Sequence, residues 1–393
     1  MASRLQGFPN ALDWKFAIIA GVGLFSAGVV ARGLFTSPKK AIIHPSPQRT
    51  LLPTLSDAEK SALPYPPDVL PGARDVDTPY GSIRVYEYGP EDGRKVILVH
   101  GISTPAIALG SVANNLAENG CRVLLFDLFG RGYSDNPGDL LHDDRLFTTQ
   151  ILLALASSPL SWTGAGSGKF SMIGYSFGGG VVTSFTSYFP DLVDSLILFA
   201  PAGLIRPHHI STTNRIIYQE GIIPEPLLQR IIKNRLRTPL SAPPDEKGKN
   251  VDATNAVKAE VNIEYNSQAV LSKKYPNVTV VKAVAHQVDN HPGFVPAFIS
   301  SIRYGPVREQ HERWRIVGRQ LSQLNTEKGT SKKVLMVLGE HDPIIIKDEL
   351  EEDAKEAFLG NVEVVTFDAG HEAPVTKGDQ IATAILDFWK RND

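Results

Sequence analysis

From residue 81 onward the chain keeps returning to short runs rich in apolar and β-branched residues: Ile83–Tyr88, Val96–His100, Val123–Asp127, Phe170–Ile173, Ser195–Phe199, Lys333–Leu338 and Val362–Phe367. Several of these are apolar at successive positions rather than at every second one, which suits strands covered on both faces. Between them Ser111–Glu118, Arg145–Leu155, Val181–Phe189, Arg308–Leu324, Asp348–Phe358 and Gln380–Lys390 carry helical spacing. Strands that alternate with helices need crossover connections, and these build a parallel sheet. The expected fold class is α/β, a mainly parallel sheet flanked by helices.

One interval breaks the rhythm. After Phe199-Ala200 about 130 residues pass before the next strand, far more than the dozen or so that a single crossover needs. Glu225–Leu236, Asn255–Tyr265 and Lys282–Val288 read as helices within it, and Pro243-Pro244 with Gly248 marks a loop. Residues 203–305 are therefore expected to form a helical cap inserted between two parts of the core, 81–202 and 306–393.

The N-terminus follows other rules. Phe16–Ala31 holds no charge, and with Arg32 at its edge the apolar stretch extends to Phe35. A membrane-spanning helix wants about 20 such residues, a length reached if Arg32 snorkels to the interface. Trp14 and Phe35 would sit in the two interfacial belts. The reading is an N-terminal tail over 1–15, a single transmembrane anchor over 16–35, and a proline-rich linker over 36–80. Arg32, Lys39, Lys40 and Arg49 follow the segment while Arg4 and Lys15 precede it, so the positive-inside rule leans the large domain toward the cytosol. The sequon Asn277-Val278-Thr279 would matter only on the opposite side.

Composition removes several classes. The formal net charge is −2, with no long basic block, so the phosphate neutralisation that dominates nucleic-acid binding has no footprint here. Cys121 is the only cysteine, which excludes an intrachain disulfide and a multi-cysteine zinc site. His208-His209 and the His286/His291 pair show no ligand spacing with carboxylates, and neither a metal nor a cofactor is expected.

The stretch MIGYSFGGG, Met172–Gly180, places Ser176 between glycines and follows it with more. A phosphate loop would need Lys-Ser or Lys-Thr, or a G-x-G-x-x-G start, and neither is present. A strand before it and a helix after it fit a sharp G-x-S-x-G elbow that presents a serine hydroxyl. Gly174 and Gly178 then sit where side chains would collide, Gly179 and Gly180 let the helix press against the sheet, and Gly180 is expected to tolerate alanine far better than Gly178.

Here the chain resembles the α/β-hydrolase superfamily from residue 80 to the C-terminus. Val99-His100-Gly101-Ile102 is similar to the family's His-Gly turn, and Asp127-Leu128-Phe129-Gly130-Arg131-Gly132-Tyr133-Ser134-Asp135 to its D-x-x-G-x-G-x-S loop. Gly339-Glu340-His341-Asp342-Pro343 stands where the family places its acid, and Ala369-Gly370-His371-Glu372 where it places its histidine.

A free serine hydroxyl is a poor nucleophile, so a histidine must take its proton and a carboxylate must orient that histidine. The resemblance implies the order Ser176, Asp342, His371, with Glu340 and Asp368 competing for the acid role. It implies backbone N–H groups of Ile102 and Phe177 as the oxyanion hole. His100 and Asp127 read as structural, and Tyr175 and Phe294 stay open between lining the pocket and packing.

The layout is also similar to that of membrane-anchored monoacylglycerol lipases. Together these imply a serine hydrolase cleaving carboxylic esters of apolar or amphipathic substrates, such as a monoacylglycerol, a medium-chain ester or a lactone. A carbon–carbon bond hydrolase or lactone-forming enzyme on the same triad is the alternative, and a non-catalytic ligand-binding protein a third. Epoxide hydrolases and haloalkane dehalogenases on this scaffold attack with an aspartate, where this chain has Ser176.

Overall fold

The computed structural model describes residues 18, 21–26, 42–164, 166–210, 212–237, 253–260 and 270–392. The chain divides into two compact units, residues 1–41 and 42–393. In the first, residues 18 and 21–26 are helical, and most of the expected anchor over 16–35 lies outside the described residues. No helix among the described residues is long and apolar enough to cross a membrane.

Among the described residues the second unit holds ten strands: β1 (Ile43–His44), β2 (Ala73–Thr78), β3 (Gly81–Tyr88), β4 (Arg94–Val99), β5 (Cys121–Phe126), β6 (Asn136–Pro137), β7 (Phe170–Tyr175), β8 (Val193–Phe199), β9 (Val334–Gly339) and β10 (Val362–Phe367). Eight of them form one sheet in the order β10-β9-β8-β7-β4-β5-β3-β2, and β1 pairs with β6 apart from it. The pairs from β10 through β5 are parallel. β3 and β2 run antiparallel at the far edge.

Every residue of β7 and β9 is buried, which is why these strands read as unbroken apolar runs. Only β2 among the sheet strands escapes the sequence pattern. Its residues ARDVDT alternate between half-buried and exposed, the signature of an edge strand with one face in water, and the charges mask it.

That strand belongs to a larger correction. Residues 42–80 are not a linker but part of the folded unit. Pro47 opens a short helix and Pro53 a 3-10 turn, positions where the missing N–H costs nothing. Ser56 and Glu59 form a reciprocal capping box on the helix Asp57–Ser61. Tyr65, Val69 and Leu70 then bury completely in the core, so the prolines here set turns rather than spacing.

Within the insertion, the helices Thr212–Tyr218, Glu225–Arg237, Ala253–Glu260, Val280–Asn290 and Phe294–Tyr304 are described. The last of these was hidden in the sequence by Pro296, which sits in its first turn, where proline is tolerated. Its predecessor and it grip the loop 127–135. Gly132 N–H donates to Gln287 Oε1 at 3.0 Å, Arg131 donates to Ser301 Oγ at 2.8 Å, and His291 donates to the Ser134 carbonyl at 2.8 Å. Phe294 is fully buried with its ring 6.0 Å from Phe298, a packing residue. The helix expected from Arg308 begins instead at His311 and runs to Lys328.

Candidate active site

β7 ends at Tyr175, and the helix Phe177–Tyr188 begins one residue later. Ser176 alone makes the turn, with φ 52° and ψ −117°. That left-handed backbone is strained for a residue with a side chain, by about 1–3 kcal/mol. Three bonds hold it there. Ser176 N–H donates to the Phe199 carbonyl, and its own carbonyl accepts from Gly179 and Ala202, each at 2.9 Å.

The glycines make the turn possible. A Cβ on Gly174 would stand 2.5 Å from the Gly178 carbonyl oxygen, and one on Gly178 2.2 Å from that of Val99. The expectation for Gly180 is overturned. Its Cβ would stand 2.3 Å from the Pro306 carbonyl oxygen, because the chain returning from the insertion presses its backbone on this helix.

The structure brings the three sequence-predicted side chains together. His371 Nε2 lies 2.9 Å from Ser176 Oγ, and His371 Nδ1 lies 2.7 Å from Asp342 Oδ2. The other oxygen of Asp342 accepts from Ile344 N–H at 2.8 Å and Ile345 N–H at 2.9 Å, fixing the carboxylate's rotation. Both competitors face elsewhere: Glu340 bonds Lys347 at 2.8 Å and Asp368 bonds His341 at 3.0 Å. His371 is fully buried and Ser176 is 7% exposed, so solvent does not compete for these bonds.

Ser176 opens into a cavity of about 690 Å³ whose wall includes Ile102 and Phe177. Neither of their backbone N–H groups is spent on another protein group among the described residues. Both are available to an oxyanion, and Phe177 adds the positive end of its helix. The Ile102 turn is braced from behind by Arg131 Nε–H, which donates to its carbonyl at 3.0 Å.

Tyr175 escaped assignment from sequence. Its hydroxyl donates to the His371 carbonyl at 3.0 Å and its ring centre lies 5.4 Å from the imidazole. It therefore lies behind the histidine rather than on the cavity wall.

His100 and Asp127 are structural. Leu128 N–H donates to His100 Nε2 at 2.9 Å while His100 Nδ1 meets the Gly101 carbonyl at 2.8 Å. Burial pushes its pKa down to about 3, and the ring stays neutral. Asp127 accepts from Ala106 N–H at 2.8 Å and Tyr133 N–H at 3.0 Å. Burial raises its pKa to about 6. Cys121 is buried, and burial lifts its thiol to about 11.

Among the described residues one group could hold a metal ion, His208, His209 and Glu349, with donor atoms within 4.8 Å of one another. The carboxylate is supplied by the fold from 140 positions away, so no spacing in the sequence announces it. Glu349 is already bonded to His209 at 2.7 Å and approached by Arg206 at 3.8 Å, a cation that any metal would have to displace.

Comparison with known proteins places this geometry. A family model described as alpha/beta hydrolase fold matches residues 95–221. Over that third of its length the chain is similar to the α/β-hydrolase family. It is 27% identical over 131 residues to a serine hydrolase-like protein of Danio rerio, covering 33% of this chain and 38% of that one. The chain thus spans well under half the length of that relative.

Two solved structures share the fold with a TM-score of 0.54: an enol-lactonase from Burkholderia xenovorans, at 14% identity over 81% of this chain and 100% of the other, and an epoxide hydrolase, CorEH, at 21% identity over 81% and 98%. The fold and its relatives support a hydrolase.

Proposed function

We propose that this protein is a serine hydrolase that cleaves carboxylic esters of apolar or amphipathic substrates through an acyl-enzyme on Ser176. The observation that carries the reading is the continuous relay from Asp342 through His371 to Ser176, at 2.7 and 2.9 Å, opening on a cavity of about 690 Å³.

Ser176 Oγ attacks the ester carbonyl carbon while His371 Nε2 takes the hydroxyl proton, and the carbonyl oxygen becomes an anion held by the N–H groups of Ile102 and Phe177. His371 then returns the proton to the departing alcohol. A water, deprotonated by His371, attacks the acyl carbon, and collapse of that second oxyanion releases the acid and restores Ser176. Asp342 stabilises the imidazolium formed in both halves.

Apolar residues Ile205, Ile210, Ile302, Ile344 and Ile345 line the cavity, and its volume falls within the roughly 300–1,000 Å³ typical of small-molecule sites. That supports an acyl chain of medium length. The uncharged run Phe16–Ala31 supports an anchor that delivers the domain to a membrane surface where such esters reside, with the domain on the cytosolic side.

A fluorophosphonate probe tests the chemistry. The purified protein is expected to be labelled and to hydrolyse short monoacylglycerols and p-nitrophenyl esters, and Ser176→Ala is expected to lose both. A folded wild type that resists the probe would sink the reading. Labelling without ester turnover, but with cleavage of diketones, would move the assignment to carbon–carbon bond hydrolysis.

A further inference from the structure

The wall of the Ser176 cavity is not uniformly apolar. Three arginines, Arg215, Arg303 and Arg308, and two glutamates, Glu220 and Glu309, are among the residues that line it. Arg303 meets Glu225 at 2.5 Å and the Tyr218 carbonyl at 2.8 Å, while its Nη2 is buried without a partner among the described residues. Arg215 donates to the Pro207 carbonyl, and Glu220 accepts from Tyr304. Arg308 is different. It is half-buried, and its side chain makes no hydrogen bond or ion pair among the described residues. A guanidinium carries five donors, and those of Arg308, lacking a protein partner, are left to solvent or to a ligand in the cavity.

Its backbone is also held in place. Gly203 N–H donates to the Val307 carbonyl and Gln310 N–H donates to the Gly203 carbonyl, both at 2.9 Å, so two bonds bracket Arg308-Glu309. Glu309 pays for this position with a left-handed φ of 58° on an exposed side chain that bonds nothing. Gly203 follows Ala202, whose N–H holds the Ser176 carbonyl at 2.9 Å. Arg308 is thus tied through four residues of backbone to the nucleophile turn, at a fixed place relative to it. Strain of this kind persists where surrounding structure enforces a position.

We infer that Arg308 is the recognition residue for an anionic oxygen group on the substrate, a carboxylate or phosphate carried beyond the ester, so that the preferred substrates are amphipathic anions with the acyl chain on the isoleucine wall. A guanidinium matches such groups with two parallel bonds, which an ammonium does not reproduce. The inference rests on the cavity being the substrate site, as in the proposed hydrolase reading, but does not require turnover.

Binding to the Ser176→Ala protein therefore tests it, by calorimetry on two pairs of ligands that differ by one anionic group. They are 1-hexanoylglycerol against 1-hexanoylglycerol 3-phosphate, with the anion in the alcohol part, and diethyl adipate against monoethyl adipate, with the anion in the acyl part. The anionic member of at least one pair is expected to bind more tightly, and the affected pair shows which part carries the charge. Adding Arg308→Gln should weaken that ligand roughly tenfold, the scale of a hydrogen bond to a charged group, and leave its neutral partner within about twofold. Arg308→Lys should restore only part of the loss.

No preference for charge in either pair, or equal weakening of both members by Arg308→Gln, would overturn the inference. Wild-type turnover of the same ligands is read separately. Charge-selective binding without hydrolysis of any ester would leave Arg308 as assigned and remove the serine hydrolase reading instead.

Discussion

The Tyr175 hydroxyl donates to the carbonyl oxygen of His371 at 3.0 Å, across 196 positions of sequence. The residue before the nucleophile therefore holds the backbone of the base. An imidazole that must take and return a proton over a gap of 2.9 Å depends on that placement, because misplacement by about 1 Å can cost 100-fold in rate.

Tyr175→Phe is expected to keep the fold, lowering stability by about 1 kcal/mol for the lost bond. Turnover should fall several-fold with KM nearly unchanged. A KM effect with unaltered kcat would place Tyr175 on the substrate instead.

Within the relay, Asp342→Asn is expected to reduce kcat by roughly 10⁴, since an amide cannot hold the imidazole in the required tautomer or stabilise its cation. Glu340→Gln should stay within about twofold of wild type, because Glu340 is exposed and paired with Lys347, and such surface pairs contribute at most about 1 kcal/mol. Steady-state kinetics on one p-nitrophenyl ester would decide between the two carboxylates.

Gly178→Ala and Gly180→Ala are expected to be comparably damaging. Each added methyl meets a backbone carbonyl oxygen, at 2.2 Å from Val99 and 2.3 Å from Pro306, and overpacking of that kind costs about 1–3 kcal/mol. Thermal unfolding of both variants measures it. A wild-type Tm for Gly180→Ala would mean that the 306 segment can move away.

Acid should destabilise the protein. Burial depresses His100 to about 3, His142 to about 3 and His291 to about 4, from an ordinary value of 6.5. The unfolded chain takes up these protons first, so stability present above 6.5 is lost as the pH falls toward 4. Asp127 opposes them. Its pKa is raised from 3.8 to about 6, so its contribution falls as the pH rises between those values. Burial also raises the pKa of Asp75 and Glu372 and lowers that of His286; the large downward shifts of three histidines set the balance, and the urea midpoint should drop from pH 7 to pH 4. A midpoint that rose on acidification to pH 5 would show the buried carboxyls dominating.

Much of the fold was legible because its signals are local. Seven sheet strands reveal themselves as short apolar runs, and the Ser176 elbow as glycine spacing between a strand and a helix. β2 was not legible, since an edge strand with one wet face carries charges, and the segment 42–80 was not, since prolines that open short helices look like prolines that stiffen a linker.

The amino-acid sequence by itself determined the sheet, the elbow and the chain order of serine, acid and base, because backbone preference and burial act over a few residues. Only the tertiary structure decided which carboxylate meets His371, that Tyr175 stands behind it, that Gly180 has no room for a methyl group, and that Arg308 faces the cavity. Those are contacts between segments tens to hundreds of residues apart, and their geometry exists only once the sheet has fixed where each loop ends.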